Sequence, residues 1–447
     1  MNKRLINALG YFKYKIRILL KPEDEKAANR VNIIFSNYSL NSINNLVGGN
    51  FFTGFLILMQ ADDAFIGIVT MMAIAGNLAQ VFSPLLMERL KKRRNILIAA
   101  RCTIYFLNII IIGIIPYLKF TNGPKLTILL MVTLLINLIN AISSPGFSVW
   151  HLKSIPESIR AKFFSFYGIS CSIVTYAIIL GASRIVDVFK ASGNEMEGLM
   201  ILRVIAVIIC LIDIYFLFRI KEYPNLKDKD EVNLLNIFIK PLREKKYLIT
   251  VAIACLWGFS ASIPGPYYNF YLLKDIKVDY AYLTLISLLY IPAQIVFTPL
   301  WAKWIRATSW FKILYIAMGM FLINYIGLAF VTRDTLFIYL ISVVYGFVFA
   351  AAINLVFSNI AFINLPVGNQ TIYIGFFSTV YNLSCLTGVF FGKEFIKYTE
   401  GLKFELMGVS MQNKQYILLL TAFVMVFAVM LVYFLQRGIK TNEDTNC

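Results

Sequence analysis

Gly198-Leu199-Met200-Ile201-Leu202-Arg203-Val204-Ile205-Ala206-Val207-Ile208-Ile209-Cys210-Leu211-Ile212-Asp213-Ile214-Tyr215-Phe216-Leu217-Phe218 is an apolar run interrupted by two charges, Arg203 and Asp213. A helix needs about 20 such residues to cross a bilayer. A strand of a membrane barrel needs only about 9–11, with strict alternation that this run lacks. The run therefore reads as a membrane-spanning helix. Working outward from it, the same pattern recurs near Val31–Met59, Ala64–Leu86, Ile96–Tyr117, Leu126–Trp150 and Phe163–Val188 on the amino-terminal side. On the carboxy-terminal side it recurs near Leu248–Leu273, Ala281–Leu300, Phe311–Val331, Leu336–Phe362, Thr371–Phe395 and Tyr416–Leu435. The first and eleventh of these twelve spans are the least apolar, being rich in Asn, Gly and Ser.

Composition agrees. Hydrophobic residues make up 59% of the 447, charged residues 15%, and the mean hydropathy is +0.72. A soluble domain carries about a quarter charged residues, and it could not hide this much apolar surface. The net charge of +18 does not point to nucleic acid. Most of the 42 Lys and Arg fall before span one and in the even-numbered connections, as the positive-inside rule requires of cytoplasmic segments. Both termini are thus expected in the cytoplasm, with an even span count. The basic residues 1–30 place Leu5, Ile6, Leu9, Phe12 and Ile16 at helical spacing, as in an interfacial helix on an anionic leaflet. The long apolar stretch after them reads as span one rather than a cleaved leader. Six Cys occur without a Cys-x-x-Cys pair, so neither a disulfide nor a metal site is expected, and no cofactor.

The longest cytoplasmic connection, 219–247, holds the mixed-charge run Lys227-Asp228-Lys229-Asp230-Glu231 and divides six spans from six. The expected bodies are an amino-terminal bundle over 31–218 and a carboxy-terminal bundle over 248–436, with a cytoplasmic tail at 437–447. The halves share features in the same order. Asp63 opens span two and Asp279 span eight; Ser83-Pro84-Leu85 closes one and Thr298-Pro299-Leu300 the other. Phe163-Phe164-Ser165 followed by Ser170-Cys171 is matched by Phe376-Phe377-Ser378 followed by Ser384-Cys385. Repeated halves around a midplane site are the usual build of secondary transporters.

Between spans two and three stands Pro84-Leu85-Leu86-Met87-Glu88-Arg89-Leu90-Lys91-Lys92-Arg93. With the 6+6 layout and the long central loop, it resembles the major facilitator superfamily, whose motif here is Gly-x-x-x-Asp-Arg-x-Gly-Arg-Lys. The acid–Arg pair and basic tail match, while both Gly positions have become Pro84 and Lys91. The overall pattern is most similar to members from low-GC Gram-positive bacteria. The resemblance implies an all-α membrane protein of twelve transmembrane helices in two pseudo-symmetric six-helix bundles. It also implies a cytoplasmic gate in which Glu88 faces the start of span eleven near Gly368, with Arg160 or Arg89 as cationic partner. An acid suits that place because a helix N-terminus carries partial positive charge. In the second half Lys303 takes the place of the acid.

The resemblance also makes spans one, four, seven and ten the lining of a central cavity. In span one Asn37, Asn41, Asn44, Asn45 and Gly48 share a helical face. Bare amides facing lipid would lack partners, so this face points inward. It either hydrogen-bonds a polar solute or packs against neighbouring helices; the mid-span Asn41 and Asn45 are assigned to substrate. Span four offers Asn137 and Asn140. Span seven offers Trp257 and Tyr267, with Pro264 and Pro266 expected to kink it, and span ten offers Tyr345 and Asn354. Tyr381 and Asn382 add from span eleven. Such a lining suits a neutral or amphipathic organic solute.

The middles of spans one, four, seven and ten contain no Asp, Glu, Lys, Arg or His. Asp213 in span six is the one deep acid, a candidate coupling residue with Arg101 of span three or Arg219 as partner. The single His, His151, is expected at the interface. An enzyme would need a catalytic constellation that this inventory lacks, and an ATP-driven pump a phosphate loop that is absent. The sequence thus predicts a secondary transporter in a bacterial cytoplasmic membrane. Its expected partners are a small-molecule substrate and the lipid bilayer, and it is expected to be monomeric. The competing reading is a proton-coupled exporter of drugs or amphipathic compounds. The Arg and Gln of span four and the Gly-Pro run of span five that mark drug-efflux branches are missing.

Overall fold

A computed structural model describes residues 26–83, 92–223, 239–366, 370–402, 404–406 and 409–437. The interfacial helix expected within 1–25, most of the central linker and the tail from 438 lie outside these residues.

The described chain is helical apart from one short hairpin. In order, the helices are α1 (Ala27–Leu46), α2 (Gly49–Leu58), α3 (Asp63–Leu78), α4 (Arg94–Tyr105), α5 (Asn122–Leu152), α6 (Glu157–Ala191) and α7 (Glu195–Arg219). After the linker come α8 (Lys245–Ser262), α9 (Tyr267–Phe270), α10 (Tyr280–Leu288), α11 (Tyr290–Ala307), α12 (Trp310–Ala329), α13 (Leu336–Ile360) and α14 (Gln370–Tyr398). The antiparallel strands β1 (Phe404–Leu406) and β2 (Val409–Met411) precede α15 (Asn413–Arg437), with Leu406 opposite Val409.

Eleven helical segments among the described residues are long and apolar enough to cross a membrane. The first expected span is divided instead. α1 ends at Leu46, and Gly49 opens α2 with φ +53°, a left-handed conformation that glycine adopts without strain. Span seven also breaks where its prolines predict. α8 stops at Ser262, Gly265 sits at φ +42° between Pro264 and Pro266, and α9 resumes at Tyr267. It then continues as a π turn over Tyr271–Asp275. A second π turn, Phe106–Ile111, interrupts span three after α4. Helix starts follow capping chemistry. The Asp62 carboxylate accepts from Phe65 N at 2.7 Å ahead of α3, and Ser309 Oγ accepts from Lys312 N at 3.2 Å ahead of α12.

Packing divides the chain into two compact units that cut across the sequence halves. One takes Met1–Phe52, Ser83–Tyr117 and Ile139–Asp228. Within it α1 lies against α6 and α7, around a core of Ile33, Leu97, Phe147, Trp150, Phe163 and Leu217. The other takes Thr53–Phe82, Leu118–Leu138 and Lys229–Cys447. In it α3 packs along α14, α14 against α8, and α12 against α13 and α15. Large apolar side chains such as Leu211, Phe218, Ile341 and Phe434 remain exposed. That is the surface a bilayer covers.

Candidate functional site: an amide ladder, an aromatic cluster and two buried ion pairs

In the first unit, α1 carries the asparagines. Asn is a poor helix former because its amide competes for backbone groups. Here it bonds backward within the helix. Asn37 Nδ2 donates to Ile33 O, Asn41 Nδ2 to Asn37 O and Asn45 Nδ2 to Asn41 O, each at 2.8 Å. A carbonyl only accepts, so the nitrogen must face the backbone and each Oδ1 is turned away from it. Asn41 Nδ2 also reaches Tyr167 Oη on α6 at 3.4 Å. Asn44 and Asn45 are exposed, Asn37 and Asn41 half-buried. Asn140 is exposed on α5 in the same unit.

A neighbouring edge of α1 meets a buried charge. Asp213 on α7 is 0% exposed. Ser36 Oγ donates to its Oδ1 at 2.5 Å, and Tyr105 Oη donates to Oδ2. The Arg101 guanidinium stands 3.6 Å from Oδ2, donates to Tyr105 Oη at 3.4 Å, and lies 4.3 Å over the Phe147 ring. Of the two partners expected for Asp213, Arg101 is the one it has. At 3.6 Å the pair is ionic contact rather than a good hydrogen bond. His151 sits half-buried in the last turn of α5. Its ring packs 6.0 Å from Phe147 and 5.7 Å from Trp150, and its Nε2 is buried without a hydrogen-bond partner.

At the start of α4, Glu222 accepts from Arg93 N and from Arg94 N, the latter at 3.2 Å, so its carboxylate caps that helix. Burial, with Arg93 close by, pushes the nearby Lys153 ammonium down, against the pull of Glu222. Of the expected gate, Glu88, Arg89 and Gly368 lie outside the described residues, as does the side chain of Arg160.

In the second unit, aromatic rings gather where α8, α12, α13 and α14 approach. Trp257 stands edge-on to Phe321 at 5.8 Å and 6.0 Å from Phe357. Phe357 is 5.9 Å from Tyr381, which stacks on Phe377. Trp257 and Tyr381 are therefore brought together through Phe357. Asn354 Nδ2 donates to Tyr290 Oη at 2.7 Å, and Asn382 Nδ2 to Ser378 O at 2.7 Å. Tyr345 lies 5.0 Å from Phe349 with its hydroxyl buried and unpartnered. Two further expected residues lie against glycines. Asn137 donates to Thr133 O at 2.8 Å and presses on Gly76 of α3. Tyr267 is 0% exposed, its hydroxyl set against Gly67.

The sequence reading missed a cluster at the start of α15. Lys414, 5% exposed, donates to Asp275 Oδ2 at 2.8 Å, lies 3.3 Å from Asp63 Oδ2, and sits 4.8 Å over the Phe270 ring. A lone Lys beside the last apolar span was its only trace. Among the described residues no group of three or more His, Cys, Asp or Glu could hold a metal ion.

The family's sequence pattern, described as Major Facilitator Superfamily, matches residues 38–389. This chain belongs to the major facilitator superfamily. Solved structures share its fold at low identity. A variant of the nucleoside transporter NupG aligns at TM-score 0.66 and 16% identity, over 92% of this chain and 100% of that one. The xylose transporter XylE from E. coli, in a partially occluded inward-open conformation, aligns at 0.65 and 12%, over 94% and 98%. A bacterial homologue of the iron transporter ferroportin, in its inward-facing state, aligns at 0.65 and 12%, over 92% and 98%. No curated protein matches the sequence. The family and fold are those of transporters, not enzymes.

Proposed function

We propose that the protein is a secondary transporter that moves a small organic solute across the bacterial cytoplasmic membrane by alternating access. The observation that carries this reading is the amide ladder of α1. Asn37, Asn41, Asn44 and Asn45 sit on a helix whose other residues from 31 to 46 bear no charge, and exposed amides in a spanning helix need water or a solute as partner. The Trp257–Phe357–Tyr381 cluster and the amides of Asn354 and Asn382 supply ring faces and polar groups for a neutral or amphipathic solute. Asn140, in the same unit as the ladder, is assigned to the solute path. Glu88, Arg89 and Arg160 form the cytoplasmic gate, both termini lie inside, and the working unit is a monomer. Relatives in fold that are described as transporters of nucleosides, xylose and iron support transport but favour no one substrate.

The buried Asp213 favours a second reading, proton-coupled export of drugs or amphipathic compounds, because an intramembrane carboxylate is the usual proton carrier. Flux in proteoliposomes under imposed pH and sodium gradients separates the two. Flux indifferent to both gradients supports facilitated movement, and flux driven by the pH gradient and lost in Asp213→Asn supports coupling. Asn41→Leu and Asn140→Leu test the lining. Lost flux at normal expression assigns them to the solute path; lost expression assigns them to packing and removes the main support for the proposal.

A further inference from the structure

Resting on the transport reading, we infer that Lys414 serves two acids in turn: it holds Asp63 while the membrane face away from the termini is closed, and keeps Asp275 alone when that face opens. The three residues come from three spans. Asp63 opens α3, ahead of the linker. Asp275 ends the π turn of span seven, and Lys414 lies in the first turn of α15, both after the linker. The start of span two, the end of span seven and the start of span twelve all fall on the side opposite the termini.

The two contacts differ in kind. Lys414 Nζ donates a hydrogen bond to Asp275 Oδ2 at 2.8 Å, whereas Asp63 Oδ2 is an ion-pair contact at 3.3 Å. The Phe270 ring, 4.8 Å from the ammonium, belongs to span seven with Asp275. Ile417 of α15 packs with Ile263 and Tyr267 of that same span. Lys414 and Asp275 thus sit in one packed body, which Asp63 meets from α3. The remaining contacts along α3 and the turn after it are weaker. Gly67 lies against Tyr267 Oη and Lys393 Cγ, where a Cβ would stand 2.1 and 2.9 Å away, and Ser378 Oγ donates to Gln80 Oε1 at 3.4 Å. Such contacts part without stranding a charge.

Alternating access by two six-span bodies requires the start of α3 to part from spans seven and twelve. Lys414 is 5% exposed, and a buried ammonium stripped of its last partner is costly. The second acid removes that obstacle. Asp63, already 24% exposed, goes to water, while Lys414 stays neutralised by Asp275. The two acids therefore act in opposite directions. Asp63→Asn removes an attraction made only in the closed state and favours opening. Asp275→Asn leaves Asp63 as the carboxylate that neutralises Lys414, so opening would strand the charge and the closed state is favoured.

The test uses the full-length protein in lipid nanodiscs. Spin labels at Lys119→Cys and Glu400→Cys, exposed positions after spans three and eleven, report the separation across the outer face once the six native Cys are replaced. Hydrogen exchange at the starts of α3 and α15, read in the native-Cys protein, gives the same answer without that background. Asp63→Asn is expected to raise the open-to-closed ratio about tenfold and to speed exchange. Asp275→Asn is expected to lower the ratio by a similar factor and to slow exchange. Shifts of the same sign in both variants, or none, overturn the inference, and flux retained in proteoliposomes then leaves the transport reading standing. Flux absent for every solute, with neither variant moving the ratio, overturns both.

Discussion

Lys414 and Asp63 form an ion pair at 3.3 Å, with Asp275 2.8 Å from the same ammonium. One buried cation thus ties carboxylates that precede and follow the central linker in sequence. Each carboxylate keeps about a quarter of its surface exposed, at 24% and 25%, while the Lys414 side chain keeps 6%. Lys414→Met is expected to destabilise the protein by about 1–3 kcal/mol, the cost of losing a charge-assisted hydrogen bond and leaving two acids side by side. Asp275→Asn should cost more than Asp63→Asn, because its contact is shorter. Thermal unfolding in detergent at low and high salt checks both, and the buried Lys predicts weak salt dependence.

Close approach between helices predicts a second set of effects. A Cβ at Gly392 would stand 2.0 Å from Ile263 O, and one at Gly388 2.3 Å from Phe259 O, both backbone atoms of α8 or its end. Gly392→Ala and Gly388→Ala are expected to cost about 1–3 kcal/mol by forcing α14 away from α8. Gly181→Ala, with nothing within 4 Å of the new Cβ, is expected to be neutral or slightly stabilising. Melting temperatures of the three variants settle the ordering.

The Gly67 contact offers a rescue. There the new Cβ would lie 2.1 Å from Tyr267 Oη, a hydroxyl with no hydrogen-bond partner. Gly67→Ala is expected to destabilise, and Tyr267→Phe in the same chain to restore part of the loss by deleting the clashing atom. A double-mutant cycle on thermal stability measures that coupling, and additive effects would disprove the contact.

The Asp213 network predicts a third asymmetry. Asp213→Ala strands the Arg101 charge in a buried place, with an expected cost of about 3–5 kcal/mol. Ser36→Ala removes one of the hydroxyl donors and is expected to cost about 1–2 kcal/mol. Replacing Arg101 and Asp213 together by Met and Leu should cost less than Asp213→Ala alone. Expression level and unfolding temperature in detergent report the order.

Much of this architecture is legible in the sequence because one physical quantity, hydropathy over some 20 residues, decides a membrane span. The break in span seven was legible too, since Pro264 and Pro266 mark it. The break in span one was not, because Gly48 and Gly49 read equally as small packing residues. The hairpin at Phe404–Met411 has strands of three residues, too short for a periodic signal. Within the candidate site, Asn41 and Asn45 stood out as amides in an apolar helix. Asn137 looked the same, and its contact with Gly76 of α3 left no sign in the sequence. Phe357 was invisible among 37 Phe, Phe377 stood out only as part of the repeat, and Lys414 gave no hint of Asp63 and Asp275, because such pairing depends on which helices meet.

The interruption at Val47 and Gly48 has an electrostatic consequence. A helix end carries about half an elementary charge, negative where carbonyls are left over and positive where amides are. By ending α1 at Leu46 and restarting at Gly49, the first span sets such a pair of opposite poles just beyond Asn44 and Asn45. The chain gains a local field there without an ionisable side chain, and so without a proton to lose as the medium acidifies.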